Sequence, residues 1–504
     1  MSMHRLDHLL LGIGDAALAQ AAGARGLSIA GLAIDSRQVA RGEAFIALRG
    51  TQTHGIRFAP AAAQRGASVV LAEAPMPDDI AAPSSQAVGG VPVVWIDQLA
   101  SQVGEIAARF YGRASEAMRV VGITGTNGKT SCVQMLAQAL SFLGHRSATI
   151  GTLGAGVHGQ LHEGARTTPD AVAVHRLLAE FRDAGVSHVA MEVSSHALVQ
   201  HRVAAVDFDV AAFTNLTRDH LDYHGDMASY GAAKARLFAW PSLRAAVINL
   251  DDAFGPELLA QLDDAVQPLR TSMADKADAD IGASAIVTSS SGLGFVLRTP
   301  WGTAPVKSSL LGRFNVANLL TVAGCLGALG EPFERIVAAL ESLQPVPGRM
   351  SRLGGQGDLP LVVVDYSHTP DALEQALTAL RAHCAGRLVC VFGCGGERDA
   401  GKRPLMGGIA ARLADQAIVT DDNPRGENGD AIVAQIVAGM PAGTVVERDR
   451  AAAIALALRD AHAGDVVLIA GKGHEPYQED ASGKHPFDDM AVAQAALARR
   501  EPRA

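Results

Sequence analysis

The segment Val120-Val-Gly-Ile-Thr-Gly125-Thr-Asn-Gly128-Lys129-Thr130-Ser131 constrains the fold of this chain more than any other. A run of β-type residues enters a glycine-rich turn, and Lys129 opens a helical stretch that extends to Leu143. A strand, a glycine turn and a helix in that order make one parallel α/β unit. Its backbone N–H groups and helix N-terminus suit a phosphate. Lys129 then meets the outer phosphate oxygens, and the Thr130 hydroxyl is offered to Mg²⁺. The spacing is shorter than the full P-loop pattern, because Ile123 stands where its first glycine would be. An ordinary strand-turn-helix is the alternative that this segment alone leaves open.

The alternation continues along the chain. Arg119–Thr124, His188–Glu192, Phe208–Thr214, Ala245–Leu250 and Ile281–Thr288 read as buried strands with helices between them. This pattern predicts parallel βαβ units covered on both faces. Upstream, short β-like runs (Ala44–Leu48, Ser68–Ala72, Val91–Ile96) mix with Ala-rich helical segments, and Ala74–Gly90 reads as a surface loop. Downstream, Gln344-Pro-Val-Pro-Gly-Arg349 marks a linker. Beyond it Leu361–Asp365, Leu388–Gly393, Gln416–Thr420 and Asp465–Ala470 again read as buried strands. The 504 residues leave room for about three domains. The expected boundaries are 1–110, 111–343 and 344–504.

Composition narrows the function classes. Forty-three basic against 52 acidic residues give a formal charge of −9, which argues against nucleic acid or an anionic membrane as partner. No apolar run approaches the ~18 residues of a membrane span. Five cysteines (132, 325, 384, 390, 394), odd in number and without a C-x-x-C pair, argue against a disulfide scaffold or zinc ribbon. A soluble cytoplasmic protein is expected. One imbalance stands out: only seven of the 43 basic residues are Lys (129, 234, 276, 307, 402, 472, 484).

Further polar clusters sit at strand ends. In Ala190-Met-Glu192-Val-Ser194-Ser195-His196 a buried strand ends in a carboxylate, from which such folds hold Mg²⁺ opposite the P-loop hydroxyl. Asp219-His220-Leu-Asp222-Tyr-His224-Gly-Asp226 gathers carboxylates and imidazoles. That segment is either a metal or nucleotide-positioning element or a polar helix N-terminus with a capping Asp. No N-K-x-D occurs, which disfavours a guanine-reading switch. Gly393-Cys-Gly-Gly396 lacks the spacing of a dinucleotide fingerprint. Two islands, Gly393–Pro404 with Arg398 and Thr420-Asp-Asp422-Asn423-Pro424-Arg425, could together read a zwitterionic, amino-acid-like ligand. A surface Arg–Asp network is the other reading. Ala470-Gly471-Lys472-Gly473-His474-Glu475 could complete the same site.

In order, GTNGKT, MEVSSH, TNLTRDHLDYHGD, GRFNVANLL, VDYSHTPDALE, FGCGGERDAGKRPLM, TDDNPR and AGKGHE resemble the Mur ligases over almost the whole chain, most weakly over 1–110. The resemblance is to those members that add diaminopimelate. It implies an α/β protein of three domains, a central P-loop-type parallel-sheet ATPase domain and a C-terminal Rossmann-like domain among them. The implied reaction is ATP-dependent addition of meso-2,6-diaminopimelate to the D-Glu side-chain carboxylate of UDP-MurNAc-L-Ala-D-Glu, through an acyl phosphate. Small-molecule substrates, a monomer and two Mg²⁺ ions go with it.

The resemblance also assigns residues. Gly125, Thr126, Asn127, Gly128, Lys129, Thr130 and Ser131, with Asn315, Asn318, Arg349, Asp365 and His368, match the nucleotide's surroundings. Thr130, Glu192 and His220 match metal-site positions, and Lys234 matches a carbamylated lysine serving the second ion. Arg could not replace that lysine, because its guanidinium stays charged. Ile34, Ser36, Thr51, Gln52, Thr53, Thr167, Thr168, Ser194, Gln200 and Arg202 match the UDP-MurNAc-dipeptide contacts. Position 166 departs from some relatives by carrying Arg in place of Asn. Arg398, Asp422, Asn423, Pro424, Arg425, Gly471 and Glu475 match the diaminopimelate pocket. Arg425 would hold the second α-carboxylate, which lysine lacks.

Overall fold

The computed structural model describes residues 3–21, 23–50, 53–79, 87–164, 166–274 and 276–499. The chain divides into two compact units, residues 1–269 with 328–330, and residues 270–327 with 331–504.

The first unit holds two sheets. The N-terminal one contains β1 (Leu32–Ala33), β2 (Ala44–Ala47), β3 (Val69–Ala74), β4 (Ala87–Val88) and β5 (Val91–Asp97), in the order β1-β2-β3-β5-β4. All its pairings are parallel except β5 with β4. Helix α1 (Leu99–Phe110) buries Leu99, Val103, Ile106 and Ala107 against the sheet. The central sheet contains β6 (Arg119–Thr124), β7 (Ser147–Gly151), β8 (Gly154–Val157), β9 (Gln160–His162), β10 (His188–Glu192), β11 (Val210–Phe213) and β12 (Ala245–Asn249). Their order is β9-β8-β7-β10-β6-β11-β12, with β7, β10, β6, β11 and β12 parallel. Helices α2 (Lys129–Phe142) and α3 (Ala171–Asp183) cross between these strands. Ala171 and Val172 of α3 join the N-terminal core.

Parallel strands are buried on both faces, and their sequences show it: β6 is buried from Val120 to Thr124, β11 throughout. The carboxyl ends of β10, β6 and β11 lie side by side, so the turns after Thr124, Glu192 and Phe213 leave from one edge. Asp209 fixes the opposite end of β6. Its carboxylate accepts from the Val120 N–H at 2.9 Å and from the Arg119 guanidinium at 2.7 Å.

The second unit opens with an antiparallel meander of β13 (Ile281–Ser289), β14 (Gly292–Thr299) and β15 (Gly302–Ser308). The expected buried parallel strand at Ile281–Thr288 holds only at its start, where Ile281 and Gly282 pair parallel with Thr271 and Ser272; from Gly282 onward the strand pairs antiparallel with β14. Only Ile281–Ala283 are buried; the polar alternation beyond them faces solvent, as one-sided antiparallel strands allow. Helix α5 (Phe314–Ala328) follows.

A six-stranded sheet completes the unit. It contains β16 (Ser351–Gly354), β17 (Leu361–Asp365), β18 (Leu388–Phe392), β19 (Gln416–Val419), β20 (Val445–Val446) and β21 (Val466–Ala470), ordered β16-β17-β21-β18-β19-β20. Every pairing but β16 with β17 is parallel. The carboxyl ends of β17, β21, β18 and β19 therefore share one edge. That edge brings together the loops after Asp365, Ala470, Phe392 and Val419, although more than a hundred residues separate the first from the last. A hairpin of β22 (Tyr477–Asp480) and β23 (Gly483–Pro486) follows.

One fully buried ion pair supports this edge. Arg450 grips Asp489 through two bonds of 2.7 Å, both side chains having no exposed surface. The same guanidinium donates to the Ala470 carbonyl at 3.0 Å. Removing one partner leaves a buried charge uncompensated. Asp489→Ala is expected to lower the unfolding free energy by about 3–5 kcal/mol. Denaturant titration followed by circular dichroism measures it.

Candidate functional site

The turn between β6 and α2 uses backbone conformations that glycine accepts readily. Gly125 has φ +150°, and a Cβ there would strike the Thr214 hydroxyl; Gly128 has φ +84° at the helix N-cap. Residues following β11 brace the turn from outside. The Asn215 carbonyl accepts from Thr126 N–H at 2.8 Å, its side-chain oxygen accepts from Asn127 N–H at 2.9 Å, and the Thr214 hydroxyl donates to the Asn127 carbonyl at 2.6 Å.

Two lysines converge on the Gly125 carbonyl. Lys129 Nζ donates to it at 2.9 Å and to the Thr126 carbonyl at 2.8 Å; Lys234 Nζ donates to it at 2.8 Å. Lys234 lies on α4 (Met227–Ala235) with 1% of its surface exposed, 4.3 Å from the Tyr230 ring centroid. Burial, reinforced by the neighbouring Lys129 charge and only partly opposed by Asp219, pulls the Lys234 ammonium down to about 6. At neutral pH this amine is mostly unprotonated.

Glu192 ends β10 with no exposed surface. Its carboxylate accepts from the Thr130 hydroxyl at 3.0 Å, the Thr152 N–H at 2.7 Å and the Thr152 hydroxyl at 3.2 Å. From Thr152 a contact of 3.1 Å reaches Thr167. Thr168 donates to the Glu192 carbonyl at 2.8 Å and accepts from the Ser194 N–H at 3.2 Å. Arg202 donates to the Thr168 carbonyl at 2.9 Å and to Gln200 at 3.0 Å. Gln200 in turn meets the Tyr223 hydroxyl at 3.1 Å. His220, half-exposed and at φ +52°, faces His196 with ring centroids 4.8 Å apart.

In the second unit, Asn315 donates to the Leu311 carbonyl at 2.7 Å and accepts from Asn318 at 2.8 Å. Asp365 accepts from the Met350 N–H at 2.9 Å and the Ser367 N–H at 3.0 Å. The Arg349 guanidinium lies 5.2 Å from the Tyr366 ring, and His368 is beside the same ring at 4.5 Å. On the shared strand edge Lys472, fully buried, donates to Asn423 Oδ1 at 2.8 Å and to Glu475 at 3.3 Å. Asn423 also donates to Glu475 at 2.8 Å. Asp422 is buried with one oxygen lacking a hydrogen-bond partner; burial pushes its carboxyl above the usual range, against the pull of Arg450 and Lys472. Arg425, at φ +52°, donates to the Gly396 carbonyl at 2.8 Å and pairs with Glu479 at 3.2 Å.

Three family models match the chain in succession: Mur ligase family, catalytic domain over residues 28–111, Mur ligase middle domain over 123–326, and Mur ligase, glutamate ligase domain over 348–473. The chain is also 56% identical, over 95% of its own length and 95% of the relative's, to UDP-N-acetylmuramoyl-L-alanyl-D-glutamate–2,6-diaminopimelate ligase of Xanthomonas campestris pv. campestris. The chain belongs to the Mur ligase family. The Pseudomonas aeruginosa protein of the same name is 50% identical over 95% of this chain and 96% of that one. A solved structure of a ligase of that name aligns with TM-score 0.72 at 36% identity, covering 94% of this chain and 95% of the other. At 20% identity, UDP-N-acetylmuramoylalanyl-D-glutamyl-2,6-diaminopimelate–D-alanyl-D-alanyl ligase from Acinetobacter baumannii shares the fold, with TM-score 0.62 over 94% of each chain.

Within this Mur ligase the first unit joins Gly125–Ser131, Glu192, Lys234, Thr167, Thr168, Ser194, Gln200 and Arg202 into one hydrogen-bonded group. Ile34 and Ser36 follow β1 in the N-terminal sheet, and among the described residues their side chains make no hydrogen bond to that group. Thr51 and Gln52 lie outside the described residues; Thr53 accepts from Gly50 through its carbonyl at 3.0 Å. In the second unit Asp422, Asn423, Pro424, Arg425, Gly471 and Glu475 follow β19 and β21 on the shared strand edge. Arg398 stands exposed on the loop after β18. The Asn423 side-chain oxygen accepts from Lys472 at 2.8 Å and from the Glu479 N–H at 2.9 Å.

Sequence reasoning left Thr152, Tyr230, Lys472 and Glu479 out of its site list. Lys472 carried a signal, being a scarce Lys inside a glycine loop. Tyr230 carried one too, four residues before Lys234 on one helix face. Glu479 carried none, since it reaches Arg425 from a polar hairpin.

The Thr130 hydroxyl and Glu192 carboxylate suit Mg²⁺, a hard ion that takes oxygen ligands. Among the described residues no cluster of three or more His, Cys, Asp and Glu forms a closed cage. Asn423 carries most of the pocket's internal bonds. Asn423→Ala strips buried Lys472 of its shortest contact and is expected to destabilise the second unit by about 1–3 kcal/mol, read by thermal unfolding.

Proposed function

We propose that this chain is an ATP-dependent ligase that joins meso-2,6-diaminopimelate to the D-Glu side-chain carboxylate of UDP-MurNAc-L-Ala-D-Glu in cytoplasmic peptidoglycan precursor synthesis. The observation that carries the reading is Arg425. It stands in the D-N-P-R motif on the edge where Asp422, Lys472 and Glu475 gather, in a chain 56% identical to a ligase of that name.

On this reading the γ-phosphoryl group of ATP passes to the D-Glu carboxylate, giving an acyl phosphate and ADP. The diaminopimelate amine then attacks the acyl carbon, forms the amide through a tetrahedral intermediate and releases phosphate. Such transfer asks for positioning and charge neutralisation more than for covalent help from the protein. Gly125–Ser131 cradle the phosphates and Lys129 meets their outer oxygens. Two Mg²⁺ ions, when bound, would neutralise charge on the phosphoryl group. Thr130 and Glu192 would hold one ion, while Lys234 as a carbamate, with His220 nearby, would serve the other. A buried amine that is neutral near pH 7 is the form to which CO₂ adds, which supports that role for Lys234. Asn315, Arg349 and Asp365 attend the adenine and ribose. Ile34, Ser36, Thr51, Gln52 and Thr53 take the uridine side, and Thr167, Thr168, Ser194, Gln200 and Arg202 the MurNAc-dipeptide. Arg398, Asp422, Asn423, Pro424, Arg425, Gly471 and Glu475 receive diaminopimelate, with Arg425 on its second α-carboxylate.

The functional modules are residues 1–110 for the UDP substrate, 111–343 for ATP and 344–504 for the amino acid, in a cytoplasmic monomer without nucleic-acid or membrane partners. No helix among the described residues is long and apolar enough to cross a membrane.

A coupled phosphate-release assay tests the reading. Release should require the UDP-dipeptide and meso-diaminopimelate together, and L-lysine should not substitute. Release without either would mark a stand-alone ATPase, and lysine turnover a sister ligase. Arg425→Ala is expected to lower kcat/KM for diaminopimelate by at least about 100-fold, the weight of a charge-assisted fork lost from a buried site, while KM for the UDP substrate stays within twofold. Lys129→Arg and Lys234→Arg should each abolish turnover; full activity in either would contradict the roles given to these amines.

A further inference from the structure

We propose that Tyr230 is the positioning residue that fixes Lys234 against the phosphate loop, its ring face holding the lysine nitrogen over the Gly125 carbonyl and its hydroxyl tying the same helix to Thr126. The effect on turnover rests on the ligase reading; the effect on Lys234 itself rests on geometry alone.

Helix α4 sets the arrangement. Asp226 caps it by accepting from the Ser229 N–H at 2.7 Å, and the spacing of four puts Tyr230 and Lys234 on one face. Gly231 lets the helix approach closely, because a Cβ there would press on Phe254 and Leu216. Tyr230 is 1% exposed, and its ring centroid lies 4.3 Å from Lys234 Nζ. At that distance the ring's negative face attracts a cation and forms an apolar wall for a neutral amine. With Nζ already donating to Gly125 at 2.8 Å, ring and carbonyl together define where the nitrogen sits.

The hydroxyl completes the tie. Tyr230 Oη and Thr126 Oγ1 are 3.2 Å apart. The Thr126 hydroxyl donates to the Thr217 carbonyl at 3.2 Å and accepts from the Thr217 N–H at 3.0 Å. Its single proton is thereby used, and Tyr230 is the donor in their bond. The ring also meets His224 at 5.0 Å, and His224 Nε2 reaches the Ser195 hydroxyl at 2.9 Å. One phenol thus links the phosphate loop, Lys234 and the segment just beyond Glu192. Replacing it removes one wall around a buried side chain that, among the described residues, has a single hydrogen bond, to the Gly125 carbonyl.

The test compares Tyr230→Leu, which removes ring and hydroxyl, with Tyr230→Phe, which removes the hydroxyl alone. Acetylation of Lys234 by N-acetoxysuccinimide in the substrate-free protein, mapped by peptide mass spectrometry, reads the nitrogen's enclosure. Exposed Lys307 and Lys484 serve as internal references. Tyr230→Leu is expected to acetylate Lys234 about tenfold faster with both references unchanged, and to lower kcat at least about tenfold, through loss of the aromatic wall that holds the side chain over Gly125. KM for the UDP-dipeptide and diaminopimelate should stay within twofold. Tyr230→Phe is expected to leave Lys234 labelling within twofold and raise KM for ATP about threefold, through the loosened Thr126 contact.

Unchanged Lys234 labelling in Tyr230→Leu overturns the inference, as does a parallel rise at Lys307 and Lys484, which marks general loosening. Should Tyr230→Leu not fold, Tyr230→Phe decides alone: a raised KM for ATP supports the tie, and wild-type constants overturn it. A wild-type protein without diaminopimelate-dependent phosphate release would defeat the ligase reading, while the labelling comparison would still decide Tyr230.

Discussion

Two lysine nitrogens share one peptide oxygen, and the first unit's chemistry follows from that crowding. The Gly125 carbonyl takes a hydrogen bond from Lys129 at 2.9 Å and from Lys234 at 2.8 Å. Burial first, and the neighbouring Lys129 charge second, pull the Lys234 ammonium down to about 6. One oxygen thereby receives two lysines of different burial, Lys129 half-buried and Lys234 fully buried. The arrangement exists because Gly125 turns the chain where a side chain would collide with Thr214.

Sheet topology supplies the other constraint. In both units the polar clusters leave the carboxyl edge of a parallel sheet, where helix N-termini and strand ends point the same way. Glu192 meets Thr130 because β10 lies beside β6. Gly471 meets Asp365, backbone to backbone at 3.1 Å, because β21 lies beside β17. Residues scattered over the sequence become neighbours through hydrogen-bonded ladders, and polar side chains finish the work over a few ångströms.

Much of this was legible in the sequence. The runs at 119–124, 188–192 and 361–365 form strands at the residues read, since short, largely apolar runs bounded by turn signals suit buried parallel strands. The strand at 281–289 was read rightly at its start, where Ile281–Ala283 are buried and Ile281 and Gly282 pair parallel, and misread beyond it, where the alternation marks an open face. Within the sites, lysine scarcity was informative: Lys234 and Lys472 are buried, and Lys129 and Lys402 donate to loop carbonyls, whereas Lys276, Lys307 and Lys484 are exposed. What stayed hidden were partners whose role depends on distance. Glu479 reaches Arg425 across a hairpin, and Asn423 spends its oxygen on Lys472; no spacing rule encodes either contact.

The central claim is that this phosphate-binding edge activates a substrate carboxylate by phosphorylation. Isotope transfer tests it most directly. UDP-MurNAc-L-Ala-D-Glu carrying ¹⁸O in the D-Glu side-chain carboxylate is incubated with ATP, Mg²⁺ and meso-diaminopimelate, and the released phosphate is analysed by mass spectrometry. An acyl phosphate leaves one carboxylate oxygen on the phosphorus, so each phosphate released should carry one ¹⁸O. Unlabelled phosphate from turning-over enzyme would contradict the account.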